Sequence, residues 1–144
     1  MKEVDILLVE DNGGDVLLTK EALENWCVKC NIVTVNDGEE AMHYLKQTNG
    51  NTTTSIPHLV VLDINLPKLD GKQVLRLIRS DPALQHLPVV IFSSSVNDRD
   101  VSEAFALNAN LYLQKPAELD HYFDAIAKIE QFWTNYKLNS DHGR

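Results

Sequence analysis

The run Leu59-Val60-Val61-Leu62, closed by Asp63, constrains the chain more than any other stretch. Four apolar residues without a polar interruption describe a strand covered on both faces, because a half-exposed strand would alternate. Asn65, Pro67, Asp70 and Gly71 follow and cannot extend it, so a loop begins at Asp63. Ile6 to Val9 is a second such run and ends in the same way, on Glu10 and Asp11. Taken singly, Asp63 reads as a turn residue or as the cap of a later helix. Its weight depends on what the remaining strands bring beside it.

Three more short apolar runs complete a set of five: Ile32 to Val35, Val89 to Phe92, and Leu111 to Leu113. The fourth runs into Ser93, Ser94 and Ser95, and the fifth into Gln114, Lys115 and Pro116. Helical spacing separates them. From Asp15, Val16, Ala22, Leu23, Trp26, Cys27 and Cys30 fall near one face. Asp37 with Glu40 forms a capping box ahead of Ala41, Met42 and Leu45. Val74, Leu75 and Ile78 line a third helix that Ser80-Asp81-Pro82 ends. Asn97 to Leu107 is a fourth, with Val101, Ala104 and Phe105 inward and Asn108 as its left-handed cap. The last helix runs from about Glu118 to about Tyr136, and Gln47 to Ser55 reads as an exposed polar loop.

Strands alternating with helices predict an α/β fold, a five-stranded parallel sheet with helices on both faces. The 144 residues suffice for one domain spanning 1–144, with a core over about 4–130, a last helix extended to about 137 and a short polar tail. Right-handed crossovers bring all strand carboxyl ends to one edge, where such sheets bind ligands. Glu10, Asp11, Asp63, Ser93 and Lys115 then share one rim, which lifts Asp63 above a capping role. Converging carboxylates repel one another, and their hard oxygens suit Mg²⁺. A lysine and a hydroxyl facing the same point can hold phosphoryl oxygens, and a carboxylate can act as nucleophile to form an aspartyl phosphate.

The formal net charge of -8 argues against direct nucleic-acid binding, which wants a basic face. No apolar run has membrane-span length, and the first residues lack a secretory pattern, so a soluble cytoplasmic protein without membrane partners is the expectation.

The segments ILLVEDN, VVLDINLPKLDG, PVVIFSSS and YLQKP, in this order and spacing, resemble the signature segments of the receiver domain of two-component response regulators. The likeness extends to stand-alone receivers of the cyanobacterial phytochrome response regulator group, whose terminal helix carries similar aromatics. It implies a flavodoxin-like sheet of order 2-1-3-4-5 and a phosphorelay role with no catalysis beyond self-phosphorylation and self-dephosphorylation. Asp63 matches the phosphoacceptor. Glu10 and Asp11 match the acidic pair for Mg²⁺, with Asp11 the direct ligand. Asn65 matches the residue whose carbonyl completes the metal shell. Ser93 matches the switch hydroxyl, Lys115 the lysine that pairs with the phosphoryl group, and Tyr112 the aromatic that swings inward. The peptide bond before Pro116 is usually cis in this family. The implied partner is a sensor histidine kinase, here of the phytochrome photoreceptor type.

A carboxylate-nucleophile phosphohydrolase is the alternative in a different class, but such enzymes want an aspartate where Asn65 stands. A degenerate receiver acting only as a binding module fits poorly with an intact Glu10, Asp11, Asp63 and Lys115. The Cys27 and Cys30 pair would close the first helix, where the dipole disfavours a reactive thiolate. The five histidines show no metal-ligand spacing. The last helix, about 30 Å long, exceeds what one face of a small sheet needs. Leu111, Tyr112, Tyr122, Ile129, Phe132, Trp133 and Tyr136 are therefore expected in a homodimer interface of the fourth helix, fifth strand and last helix.

Overall fold

A computed structural model describes residues 3–26, 28–50 and 56–142, the backbone alone at 48–50 and 139–142. Five strands, β1 (Glu3–Val9), β2 (Lys29–Val35), β3 (Leu59–Leu62), β4 (Val89–Ser93) and β5 (Leu111–Gln114), form one parallel sheet of order β2-β1-β3-β4-β5. The helices are α1 (Gly13–Glu24), α2 (Gly38–Gly50), α3 (Gly71–Ser80), α4 (Asp98–Ala106) and α5 (Tyr122–His142), the last preceded by a 3-10 turn, Leu119–His121.

Strand alternation divides the core in two. Leu7, Val9, Val60, Leu62, Val89 and Ile91 face α2, α3 and α4. Ile6, Leu8, Leu59, Val61, Val90 and Phe92 face α1 and α5. The uninterrupted apolar runs of β1, β3 and β4 are what coverage on both faces demands. Register sets the edge of the sheet. Val9 pairs with both Val35 and Leu62, so Glu10 and Asp63 leave their strands at the same level.

Helix starts follow local chemistry. Asn12 caps α1 by accepting from the Asp15 N–H, so the helix begins at Gly13 rather than at Asp15. Asp37 accepts from the Glu40 N–H at 2.8 Å, while the Glu40 carboxylate returns to the Asn36 N–H. Asp70 and Gln73 form a complete capping box on α3. Asn108 takes the left-handed cap conformation at φ 63°.

Several elements depart from the sequence expectation. Asn25 ends α1, and Cys30 lies on β2, paired in register with Val4, so it does not close a helix. Seven residues of β1 offer pairing partners and draw β2 back to Lys29. Cys27 lies outside the described residues, and with it the expectation for the cysteine pair. Helix α2 continues through Gln47, whose side chain meets His43 one turn back, to Gly50; residues 51–55 of the expected loop lie outside the described residues. Helix α5 is 21 residues long, about 31 Å, and passes Tyr136. Phe105 is 48% exposed because Ala104 occupies the inward position on α4. The described residues contain no cis peptide, so Lys115–Pro116 is trans, the intrinsically favoured isomer.

The expected interface residues divide. Tyr122, Ile129 and Trp133 are buried in their own chain, where α5 packs on α1 and the sheet. The Tyr122 hydroxyl lies 3.3 Å from Thr19 Oγ1, and burial pushes its pKa up to about 12. These three are core residues rather than free surface. Leu111 packs with the α1 and α5 side and Tyr112 with the other side, because neighbours on a strand face opposite ways. Phe132 and Tyr136 remain half-buried at the edge.

Gly71 shows how closely the fold supports the rim. A Cβ there would lie 2.2 Å from the Asp63 carbonyl oxygen and 2.7 Å from the Ile64 Cα. Both obstacles are backbone and cannot rotate away. Gly71→Ala is expected to destabilise the protein by about 3 kcal/mol, measured by denaturant unfolding. An unchanged unfolding midpoint would contradict the packing described.

Candidate functional site

Each strand end contributes one group. The backbone N–H of Glu10 donates to the Val35 carbonyl at 3.1 Å, and that of Asp63 to the Val9 carbonyl at 3.1 Å. These bonds continue the ladder one residue past the apolar runs and fix where the two carboxylates start. The Lys115 N–H donates to the Ser93 carbonyl at 2.8 Å, which does the same at β4 and β5.

Glu10, Asp11 and Asp63 converge: one carboxylate oxygen of each lies within 4.8 Å of the others. Asp11 is exposed, whereas Glu10 and Asp63 are buried. Lys115 reaches across from β5. Its Nζ donates to Asp63 Oδ2 at 2.9 Å, to Asp15 Oδ2 at 2.9 Å and to Glu10 Oε1. Burial alone would lower the lysine pKa; its hydrogen bonds to Glu10, Asp15 and Asp63 together outweigh that and raise it. Burial pushes the Glu10 carboxyl up from 4.5, against the pull of Lys115, and the Asp63 charge adds to the rise. One ammonium does not compensate these acids. Such a donor set, three hard oxygens and surplus negative charge, fits a divalent cation.

The structure brings Glu10, Asp11, Asp63 and Lys115 to one point as the sequence led us to expect. Asn65 is exposed on the loop after β3, and its N–H donates to Asp63 Oδ1 at 3.2 Å, orienting that carboxylate. Ser93 is fully buried at the end of β4, and its Oγ accepts from the Ser95 N–H at 3.3 Å. Tyr112 stands one layer away. Its hydroxyl donates to the Ser95 carbonyl at 2.6 Å, so its ring leans toward the β4–α4 loop. Ser95 also donates to Asp100, which Lys72 of α3 holds at 2.7 Å. That lysine keeps the Asp100 carboxyl below the usual carboxylate range.

Asp15 was missed from sequence. It reads there as an ordinary first-turn acid, favourable to the helix dipole. A signal was present: α1 starts at the carboxyl edge of the sheet, so an acid in its first turn faces the same rim as Glu10.

A protein-family model described as the response regulator receiver domain matches residues 6–127. The chain is 38% identical over 128 residues to the response regulator Rcp1 of Synechocystis sp. (strain PCC 6803), covering 89% of this chain and 87% of that protein. It superposes on the phosphorylated cyanobacterial phytochrome response regulator RcpA with TM-score 0.86 and 45% identity, covering 92% of this chain and 95% of the other. It superposes on the Mn²⁺-bound form of Rcp1 with TM-score 0.83 and 38% identity, covering 90% and 94%.

A Glu10 pKa raised from 4.5 to about 7 means that this carboxyl holds more proton in the folded than in the unfolded chain between those two pH values. Its contribution should therefore lower stability as pH rises from 4.5 to about 7, in the presence of a chelator. Denaturant midpoints against pH should show this slope, and Glu10→Gln should flatten it; a variant profile parallel to wild type would assign the slope elsewhere.

Proposed function

The chain belongs to the receiver domain family of two-component response regulators, and on that premise we propose that Asp63 accepts a phosphoryl group from a sensor histidine kinase. The observation that carries this is the Asp63 carboxylate, buried at the end of β3, oriented by the Asn65 N–H and held by Lys115 beside Glu10 and Asp11. One Asp63 oxygen attacks phosphorus, the bond from phosphorus to the donor histidine nitrogen breaks, and the imidazole leaves with the electron pair. Lys115 redirects one N–H from the Asp63 carboxylate to a phosphoryl oxygen.

The cation we assign is Mg²⁺, with Glu10, Asp11, Asp63 and the Asn65 carbonyl as the residues that would hold it; bound there, it neutralises phosphoryl oxygens. Ser93 turns its hydroxyl to the phosphoryl group. The loop from Ser93 to Ser95 moves with it, and Tyr112, bonded to the Ser95 carbonyl, follows. A charge change at one carboxylate is thereby read out on the surface of α4, β5 and α5.

In this reading residues 1–144 act as a single cytoplasmic receiver domain, modified once rather than turning over a substrate. The likeness to RcpA, a cyanobacterial phytochrome response regulator, supports a phytochrome-type photoreceptor kinase as donor. We assign output to a homodimer through α4, β5 and α5. Its support is the exposed apolar surface of these elements, Phe105 on α4 beside Tyr112 of β5, and Leu138 on α5 with the half-buried Phe132 and Tyr136.

Intact mass after incubation with acetyl phosphate and Mg²⁺ should show one added phosphoryl group, absent in Asp63→Asn and without metal. Uptake that persists in Asp63→Asn would refute the assignment. For the dimer, sedimentation at high protein concentration should show a two-chain species; a monomer both with and without beryllofluoride would remove it.

A further inference from the structure

Three of the carboxylates around Lys115 differ in kind. Glu10 and Asp63 are buried, whereas the Asp15 side chain is 26% exposed and comes from a helix. Asp15 is not among the three carboxylates that converge within 4.8 Å. It nevertheless accepts from Lys115 Nζ at 2.9 Å, the same distance as Asp63. An ammonium carries three N–H donors and no acceptor. Glu10, Asp63 and Asp15 take one each, so the third direction of the lysine head is set by Asp15.

Asp15 is itself braced. Its backbone N–H donates to the capping Asn12 side chain at 3.0 Å. One turn on, Thr19 meets the Tyr122 hydroxyl and holds α1 against α5. A long lysine side chain has several rotatable bonds, and two acceptors alone leave its head free to pivot about them.

We propose that Asp15 is a positioning residue for phosphoryl transfer, taking one N–H of Lys115 and so holding the N–H that Asp63 accepts on the carboxylate that becomes phosphorylated. This rests on the phosphoacceptor reading of Asp63. With acetyl phosphate as donor, an Asp63 oxygen forms the new bond to phosphorus, the bond from phosphorus to the acetate oxygen breaks, and acetate leaves with the electron pair. Lys115 neutralises the phosphoryl oxygens through that transfer, and its misplacement slows it. Asp15 touches neither the phosphoryl group nor the cation.

The test compares wild type, Asp15→Ala and Asp15→Asn for the rate of phosphoryl uptake from acetyl phosphate, with Mg²⁺ affinity measured by calorimetric titration. Asparagine keeps an oxygen that accepts from Lys115; alanine does not. The expected result is an uptake rate about 10-fold lower in Asp15→Ala. Asp15→Asn should recover most of the rate, with Mg²⁺ affinity unchanged in both. An alanine variant as fast as wild type or faster overturns the proposal, since Asp15 would then merely compete for the ammonium. Loss of Mg²⁺ affinity makes Asp15 a metal ligand and overturns it too, as does an asparagine variant as slow as alanine. A wild type that takes up no phosphoryl group overturns the Asp63 reading and this inference together.

Discussion

One ammonium group among three carboxylates is the interaction to which the rest of the architecture answers. Lys115 and Glu10 are buried, and an unpaired charge in such a place would be costly, several kcal/mol per ion. The partners come from β1, α1, β3 and β5, which are separated by up to 105 residues in sequence. They can meet only if the carboxyl ends of β1, β3 and β5 lie at one edge. The order β2-β1-β3-β4-β5 does this, with β4 interposed and Lys115 spanning it. Such a network is weak evidence for stability, since an apolar replacement of equal volume often does as well. Its contribution is to location: it holds Asp63 among groups that no apolar packing would supply.

The remaining structure divides labour across the sheet. On one side, α1 and α5 close a core rich in aromatics, including Trp26, Tyr122 and Trp133. That side is braced by the Thr19–Tyr122 contact and carries Asp15. On the other, α3 and α4 are tied by Lys72, which donates to Asp100 and to Glu103 at 2.6 Å. Asp100 accepts from Ser95, whose carbonyl holds Tyr112. The first side is packed apolar surface; the second ends in a partly exposed polar chain that begins two residues from Ser93. A chain of hydrogen bonds at the surface can rearrange at lower cost than a close-packed core. This asymmetry favours α4 and β5 as the side on which a change at Asp63 is expressed.

Where the fold was legible, a local cause existed. The strands β1, β3 and β4 are apolar without interruption because both faces are covered, and this pattern survives in one dimension. Asp37 and Asn108 act on residues within a turn of themselves, so their caps could be read directly, whereas Asp70 and Asn97, which cap α3 and α4 in the same way, read in the sequence only as a loop residue and a helix start. Illegible features had remote causes. Lys29 and Cys30 belong to β2 only because Glu3 and Val4 lie beside them. Phe105 looks like a core residue by type, yet Ala104 takes the inward position on α4. The aromatics at Trp133 and Tyr136 looked surplus to one sheet face, but they stack on each other at 5.8 Å, and Trp133 also approaches His58.

Composition and periodicity were thus enough for the alternating α/β plan, the parallel sheet and the rim that gathers Glu10, Asp11, Asp63 and Lys115, since each depends on residue type and short-range spacing. Side-chain direction was not contained in that pattern. That Lys115 bonds Asp15 as well as Asp63, that Tyr112 turns to the Ser95 carbonyl, and that Ile129 and Trp133 fill the core all depend on distances between segments far apart in the chain. Those distances exist only once the helices have packed on the sheet, because packing at crystal-like density selects one rotamer and one partner from several that the sequence allows.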